Sequence, residues 1–303
     1  RSKGGMTAAL ETSALGKRFR RGWAVRDCTL SIPEQAIVGL AGPNGAGKST
    51  LLSLAVALLA PTEGEIRVLG RDPWREPEAL EEIGYVAQDF PLYRSFTVGE
   101  TLDYARRLNA RWDPTMATRS LAQVPFDRRV SALSAGERAR LALSVALGKR
   151  PRLLLLDEPF ARLDPKACRE FLQVLMDGVA ETGATVVVAS HVLADIERIA
   201  DHIVLLSDGR VRLEGDVEEL LTSHRLLTGA GRPLGRIRGV EEIVQERYSG
   251  RQMTLLARVS VPVVDPTWSV DKIGLEELLL AYMAPERLPK RSTDEKRRLR
   301  WHG

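Results

Sequence analysis

The sequence predicts an α/β fold: a mixed sheet around a glycine-rich loop, an antiparallel β subdomain, an inserted α-helical subdomain and a small C-terminal α/β appendage. Three observations carry that expectation. The apolar run Ala36 to Ala41 leads through GPNGAGKST, Gly42 to Thr50, into the helix-forming run Leu51 to Leu59. A second apolar run, Leu153 to Leu156, ends in Asp157 and Glu158, which is how a parallel strand buried on both faces reads. Between them, from about Pro91 to Val145, helical periodicity interrupts the β-rich pattern.

In chain order, Leu10 to Phe19 and Cys28 to Ile32 read as antiparallel strands around the basic turn Lys17 to Arg21. Phe19 and Trp23 lie in or beside that loop, where a ring either stacks on a base or packs in the core. Glu65 to Leu69 is a strand between two turns, Glu76 to Glu82 a short helix, and Ile83 to Ala87 a buried strand ending in Gln88. A carboxamide at that strand end can reach a metal or water near phosphates, although most glutamines are surface residues. Thr97 caps a helix to Leu108, and Asp113-Pro114 starts another. Ser134 and Glu137 form the S-x-x-E capping box of a further helix. That helix start is either an ordinary cap or a source of N–H groups for a second phosphate.

Asp164-Pro165 begins a helix that runs to about Thr182, with Gly183 as its stop. Thr185 to Ser190 is the next buried strand, followed directly by His191. Val192 to Ile199 reads as helix, Ile203 to Leu213 as a hairpin around Ser207-Asp208-Gly209, and Val217 to Leu221 as a closing helix. The expected division is 6–222 for the main domain, with its helical subdomain at about 91–145, then an appendage over 223–284 and a basic tail over 285–303. Arg1 to Gly5 reads as a cloning remnant, and Thr228 to Gly235 as a linker or loop.

The chemistry starts at the glycine-rich loop. Gly42, Gly45 and Gly47 let the backbone fold tightly with no side chain keeping a phosphate from the N–H groups. Lys48 can reach the β- and γ-phosphates, and the Ser49 hydroxyl can sit on Mg²⁺. Acids at the carboxyl end of a core strand fall where open α/β sheets bind ligands. Asp157 would hold Mg²⁺, and Glu158 would polarise the water that attacks a γ-phosphate. His191 lies at the carboxyl end of another core strand.

Composition narrows the class. With 44% hydrophobic and 28% charged residues, the 303-residue chain is neither a membrane-embedded nor a disordered protein. No apolar run approaches the roughly 20 residues of a bilayer span, and no signal peptide is evident. The net charge of +4 is carried by the tail, so no nucleic-acid-coating surface is expected. Cys28 and Cys168 fit neither a zinc site nor a disulfide framework.

The motifs, in this order and spacing over about Leu10 to Leu221, resemble the ATP-binding cassette family, whose core is a P-loop NTPase. GPNGAGKST is similar to its Walker A motif, which adds Asn44 and Thr50 to the nucleotide contacts. Gln88 resembles the Q-loop and joins Ser49 and Asp157 as a metal ligand. LSAGE at 133–137 resembles the signature, LLLLDE at 153–158 Walker B with the catalytic glutamate, Leu163-Asp164 the D-loop, and Ser190-His191 the H-switch. Phe19 stands where the family keeps its adenine-stacking aromatic.

The resemblance implies an ATPase with ATP and Mg²⁺ as ligands. Two copies would pack head to tail, with Lys48, Ser49, Gln88, Asp157, Glu158 and His191 on one side of each nucleotide and Ser134 and Gly136 on the other. Asp164 would contact the same interface. Ala135 and Glu137 depart from the family signature, and the added charge of Glu137 is expected to weaken closure somewhat.

Transport would require a separate integral membrane permease, docked near Asp89 to Phe96. Phe90, Leu92, Tyr93 and Phe96 are expected there as an exposed apolar groove, or else as filling for the helical subdomain. The chain would then be cytoplasmic and peripheral on the inner face of the cell membrane. The ending Gly274 to Leu278 and Arg111-Trp112-Asp113 resemble subunits of two-component exporters, which implies export. The alternative is a soluble cassette ATPase with a mechanical or regulatory role.

Overall fold

The computed structural model describes residues 8–121, 123–231 and 237–284. The expected cloning remnant, the basic tail and residues 232–235 of the expected linker lie outside the described residues.

The centre is a six-stranded sheet. Its members are β3 (Ile37–Ala41), β5 (Ile83–Val86), β6 (Leu153–Asp157), β7 (Thr185–Ser190), β8 (His202–Ser207) and β9 (Arg210–Asp216). Their order is β5-β6-β7-β3-β8-β9, parallel except for the β8–β9 hairpin. Every residue of β6 and β7 is buried. Alternation explains why such strands carry continuous apolar runs. Leu153, Leu155 and Val187 face one core, with α1 (Lys48–Ala55) and the antiparallel sheet. Leu154, Leu156, Val186 and Val188 face another, against Leu143 and Leu147 of α4 (Ala135–Gly148) and Phe171 and Leu175 of α5 (Pro165–Thr182). Each fully buried Leu contributes about 1.5–3 kcal/mol, and the paired layers hold the strand ends in place.

A three-stranded antiparallel sheet, β2-β1-β4, covers the first face. It comprises β1 (Ala8–Phe19), β2 (Gly22–Pro33) and β4 (Glu63–Val68). The Arg26 N–H donates to the Gly209 carbonyl at 2.8 Å and joins this sheet to the β8–β9 hairpin. The expected basic loop is only a two-residue turn at Arg20 and Arg21, so Phe19 and Trp23 belong to strands.

The helical interval comprises α2 (Val98–Leu108), α3 (Pro114–Arg119) and α4, with 3₁₀ turns at Val130–Ala132 and, ahead of β5, at Pro77–Glu82. Thr97 caps α2 in a full capping box, and Asp113 caps α3 with bonds to the Thr115 and Met116 N–H groups. α1 stops at Ala55, short of the expected Leu59, because Ala57 turns left-handed at φ 53°.

After α6 (Leu193–Glu197) and α7 (Val217–Ser223), the chain builds a second antiparallel sheet, ordered β11-β12-β10-β13. Its strands are β10 (His224–Ala230), β11 (Val240–Ser249), β12 (Gln252–Val259) and β13 (Trp268–Asp271). The linker expected from Thr228 is thus corrected: residues 228–230 are strand. Gly229 pairs with Trp268, and a Cβ there would lie 2.9 Å from the Trp268 ring. The final helix, α8 (Leu275–Met283), buries Leu275, Leu278 and Leu279 against Leu193, Ile196 and Leu205 of the main core.

Candidate nucleotide site

The loop between β3 and α1 lies at the carboxyl ends of the parallel strands. Two glycines are required there by close approach as well as by conformation. A Cβ on Gly42 (φ 154°) would sit 2.2 Å from the Leu206 carbonyl oxygen, and one on Gly47 (φ 105°) 2.3 Å from that of Ala24. Gly45, at φ 82°, faces open space on the loop's outer side, next to the exposed Asn44. The result is a tightly folded loop whose glycines place no Cβ between its backbone and a phosphate chain.

Lys48, the first residue of α1, is 5% exposed and points back into this loop. Its Nζ donates to the Gly42 carbonyl at 2.7 Å and the Pro43 carbonyl at 3.3 Å, and lies 3.3 Å from Glu158 Oε1. Glu158 follows β6 directly and is 7% exposed. Its second oxygen lies 2.8 Å from His191 Nδ1, just past the end of β7. Glu158 adopts φ 49°, unusual for a residue with a side chain. Its N–H bond to the Ala189 carbonyl, at 3.0 Å, and its two carboxylate partners hold it there.

Ser49 Oγ donates to Asp157 Oδ1 at 2.9 Å. Burial pushes the Asp157 carboxyl above its usual range, and the neighbouring Glu158 charge adds to that, while Ser49 and Lys48 act against it. A divalent cation would relieve that strain on the charged form. The two hard oxygens, beside an open phosphate cradle, fit Mg²⁺, which takes few protein ligands and completes its shell with phosphates and water. Thr50 is half-buried in α1, and Gln88 is exposed in the turn after β5.

The remaining expected residues lie on other elements. Ser134 caps α4: its Oγ accepts the Glu137 N–H at 3.2 Å, and its own N–H donates to Glu137 Oε2 at 2.8 Å. A Cβ on Gly136 would meet Ala167 of α5 at 2.7 Å, so glycine permits the two helix starts to touch. Asp164 caps α5 through the Lys166 and Ala167 N–H groups, both at 2.9 Å, and those bonds hold its carboxyl below the usual range. Phe19 is 46% exposed at the end of β1, with Lys17 Nζ 5.4 Å from its ring centre.

Of the two expectations for the rings after Gln88, Phe90 follows burial and not the exposed groove. Phe90 is buried in the core beside α4 and α5, at φ 45°, and does not belong to an exposed groove. Tyr93, Phe96 and Tyr104 form a surface aromatic cluster with ring centres 5.0–5.9 Å apart, Tyr93 and Tyr104 being the exposed members. Two residues touch the expected ones without having been assigned a contact from the sequence. Lys17, two residues before Phe19 on the same strand, was signalled by its period-2 spacing. Arg128, whose Nη1 donates to Glu137 Oε1 at 2.9 Å, carries no periodic signal.

A glycine-rich loop with its buried lysine, a Ser–Asp pair suited to a divalent cation and a Glu–His pair at adjacent strand ends fit a P-loop nucleoside triphosphatase. Residues 25–161 match the family model described as ABC transporter. The chain is 36% identical over 214 residues to the thiamine import ATP-binding protein ThiQ of Jannaschia sp. (strain CCS1), covering 68% of this chain and 93% of that protein. It therefore belongs to the ATP-binding subunits of ABC transporters, and it binds ATP with Mg²⁺ and hydrolyses it.

Among solved structures, it resembles the ATP-binding cassette MJ0796 in a dimeric post-hydrolysis state bound to ADP and Pi. The TM-score is 0.62 at 27% identity, over 69% of this chain and 98% of that one. A bacterial Atm1-family ABC exporter with ATP bound gives 0.62 at 25% identity, over 71% of this chain and 40% of that one.

Proposed function

We propose that two copies of this chain close head to tail on ATP and drive a separate membrane permease. The observation that carries the reading is the division of the expected site. Lys48, Ser49, Asp157, Glu158 and His191 converge on one loop. Ser134 and Gly136 make their contacts at the start of α4, with Glu137 and towards Ala167. The second group would complete the site from the partner copy.

In that reading Lys48 exchanges the Gly42 and Pro43 carbonyls for phosphate oxygens. Ser49 and Asp157, with Gln88, would hold Mg²⁺, whose charge would offset that of the phosphates. Glu158 accepts a proton from the attacking water as its oxygen bonds to the γ-phosphorus and the bond to ADP breaks. His191 orients Glu158 through Nδ1. Phe19, with Lys17 behind it, offers a face for adenine, and Asn44, Gly45 and Thr50 line the phosphates.

The permease would seat on the Tyr93–Phe96–Tyr104 cluster, placing the chain at the inner face of the cell membrane. Among the described residues no helix is long and apolar enough to cross a membrane, and in this reading the permease supplies the span. Export was the sequence-based direction. Arg111-Trp112-Asp113 supports the fold instead: Arg111 pairs with Glu82, Trp112 packs on Gly148, and Asp113 caps α3. Import and export proteins both share this cassette, so the proposal carries no direction.

Affinity purification from detergent-solubilised membranes tests the permease. An integral membrane protein is expected with the native chain and absent with Tyr93→Glu/Tyr104→Glu. Capture of the same protein by both would reject this docking surface, and recovery of no membrane protein would favour the soluble ATPase.

A further inference from the structure

The start of α4 carries an acid where the proposed partner nucleotide would approach. A carboxylate in a first turn suits the helix itself. It also competes with an incoming phosphate for the same N–H groups and repels it. The geometry around Glu137 answers that conflict. Oε2 is held in the capping box by the Ser134 N–H at 2.8 Å. Oε1 accepts from Arg128 Nη1 at 2.9 Å, and Nη2 of the same guanidinium donates to the Ala132 carbonyl at 2.8 Å.

Arg128 is itself moored. Its carbonyl accepts the Val98 N–H at 3.0 Å, and its N–H donates to the Pro125 carbonyl at 3.2 Å. The other nearby cations make their contacts elsewhere, Arg140 with Glu170 at 3.3 Å and Arg138 with the Leu133 carbonyl at 2.7 Å, and of these Arg140 still favours the Glu137 charge from a distance while Arg128 alone bonds the carboxylate.

We propose that Arg128 is a positioning residue for ATP hydrolysis: it cancels the Glu137 charge and clamps that carboxylate in the cap. With the carboxylate confined to the Ser134 N–H, the rest of that helix start is left to the γ-phosphate held by a second copy of the chain. The inference rests on the reading of Ser134 and Gly136 as the completing half of the site. It also reverses the expected penalty of Glu137, because the acid arrives with its own counter-charge.

The test measures ATPase rate against ATP concentration for the native chain, Arg128→Ala, Glu137→Gln and the double variant. With Glu137 present, losing Arg128 is expected to reduce kcat/KM about five- to tenfold, the effect of one uncompensated charge at a helix start. In the Glu137→Gln background the same change is expected to cost less than about twofold. Arg128→Lys should recover part of the loss. Arg128 is 39% exposed, so truncation opens no core, and Arg128→Gln replaces the alanine variant if thermal melts show misfolding.

Equal losses in both backgrounds, or no loss in either, would overturn the proposal. Ser134→Arg separates the two layers. Full activity in that variant would reject the composite site itself. Lost activity there, together with equal Arg128→Ala losses, would reject only the role of Arg128.

Discussion

Lys48 shows how much of the site one residue organises. Its ammonium donates to two loop carbonyls and pairs with a buried carboxylate. Hydrogen bonds to charged groups contribute about 1.5–3 kcal/mol. Lys48→Ala is therefore expected to weaken nucleotide binding about 10- to 100-fold, measured by titration with a fluorescent ATP analogue. Unchanged affinity would remove Lys48 from the phosphate site. Its position was legible because the loop pattern fixes glycine and lysine spacing together. Phe90 stayed between two readings for the opposite reason. Apolar rings between Asp89 and Phe96 give no parity, and only the left-handed turn at Phe90 sends that ring inward while Tyr93 stays out. Arg128 was invisible because a loop arginine has no period, and its partner lies nine residues on.

Among the elements, the parallel strands were the most legible and β10 and β13 the least. A strand buried on both faces must be apolar throughout, so β6 and β7 announce themselves. In β10 the Thr228-Gly229-Ala230 stretch imitates a loop, yet Gly229 is there to admit Trp268 from β13. The end of α7 and α8 are joined by buried His224, whose Nδ1 lies 2.8 Å from the Leu220 carbonyl and Nε2 2.9 Å from the Tyr282 hydroxyl. Burial holds the His224 imidazole below its ordinary value of 6.5, and it does the same to His202. The unfolded chain then binds more protons than the folded one below that value, so stability falls as pH drops through it. Thermal melts from about pH 7.5 to 5.5 are expected to show that loss, with a shallower slope in His224→Phe. A slope unchanged by the substitution would remove His224 from the effect.

For the whole molecule, the cassette motifs mark a surface as much as a pocket. Lys48, Asp157, Glu158 and His191 gather because three parallel strands end side by side, while Ser134 opens a helix of a different layer. Their order in the sequence named the family, and the resemblance already implied which residues share one loop and which would complete a partner's site; what the sequence did not carry is the contact of each helix start with its own chain, as at Gly136 and Ala167. The most direct measurement of that division is the mass in solution of Glu158→Gln with and without ATP, with bound nucleotide quantified. The account predicts a monomer without nucleotide and a dimer holding two ATP molecules with it, which Ser134→Arg in the same chain disrupts. A Glu158→Gln chain that binds ATP fully and remains monomeric at every concentration tested would contradict it.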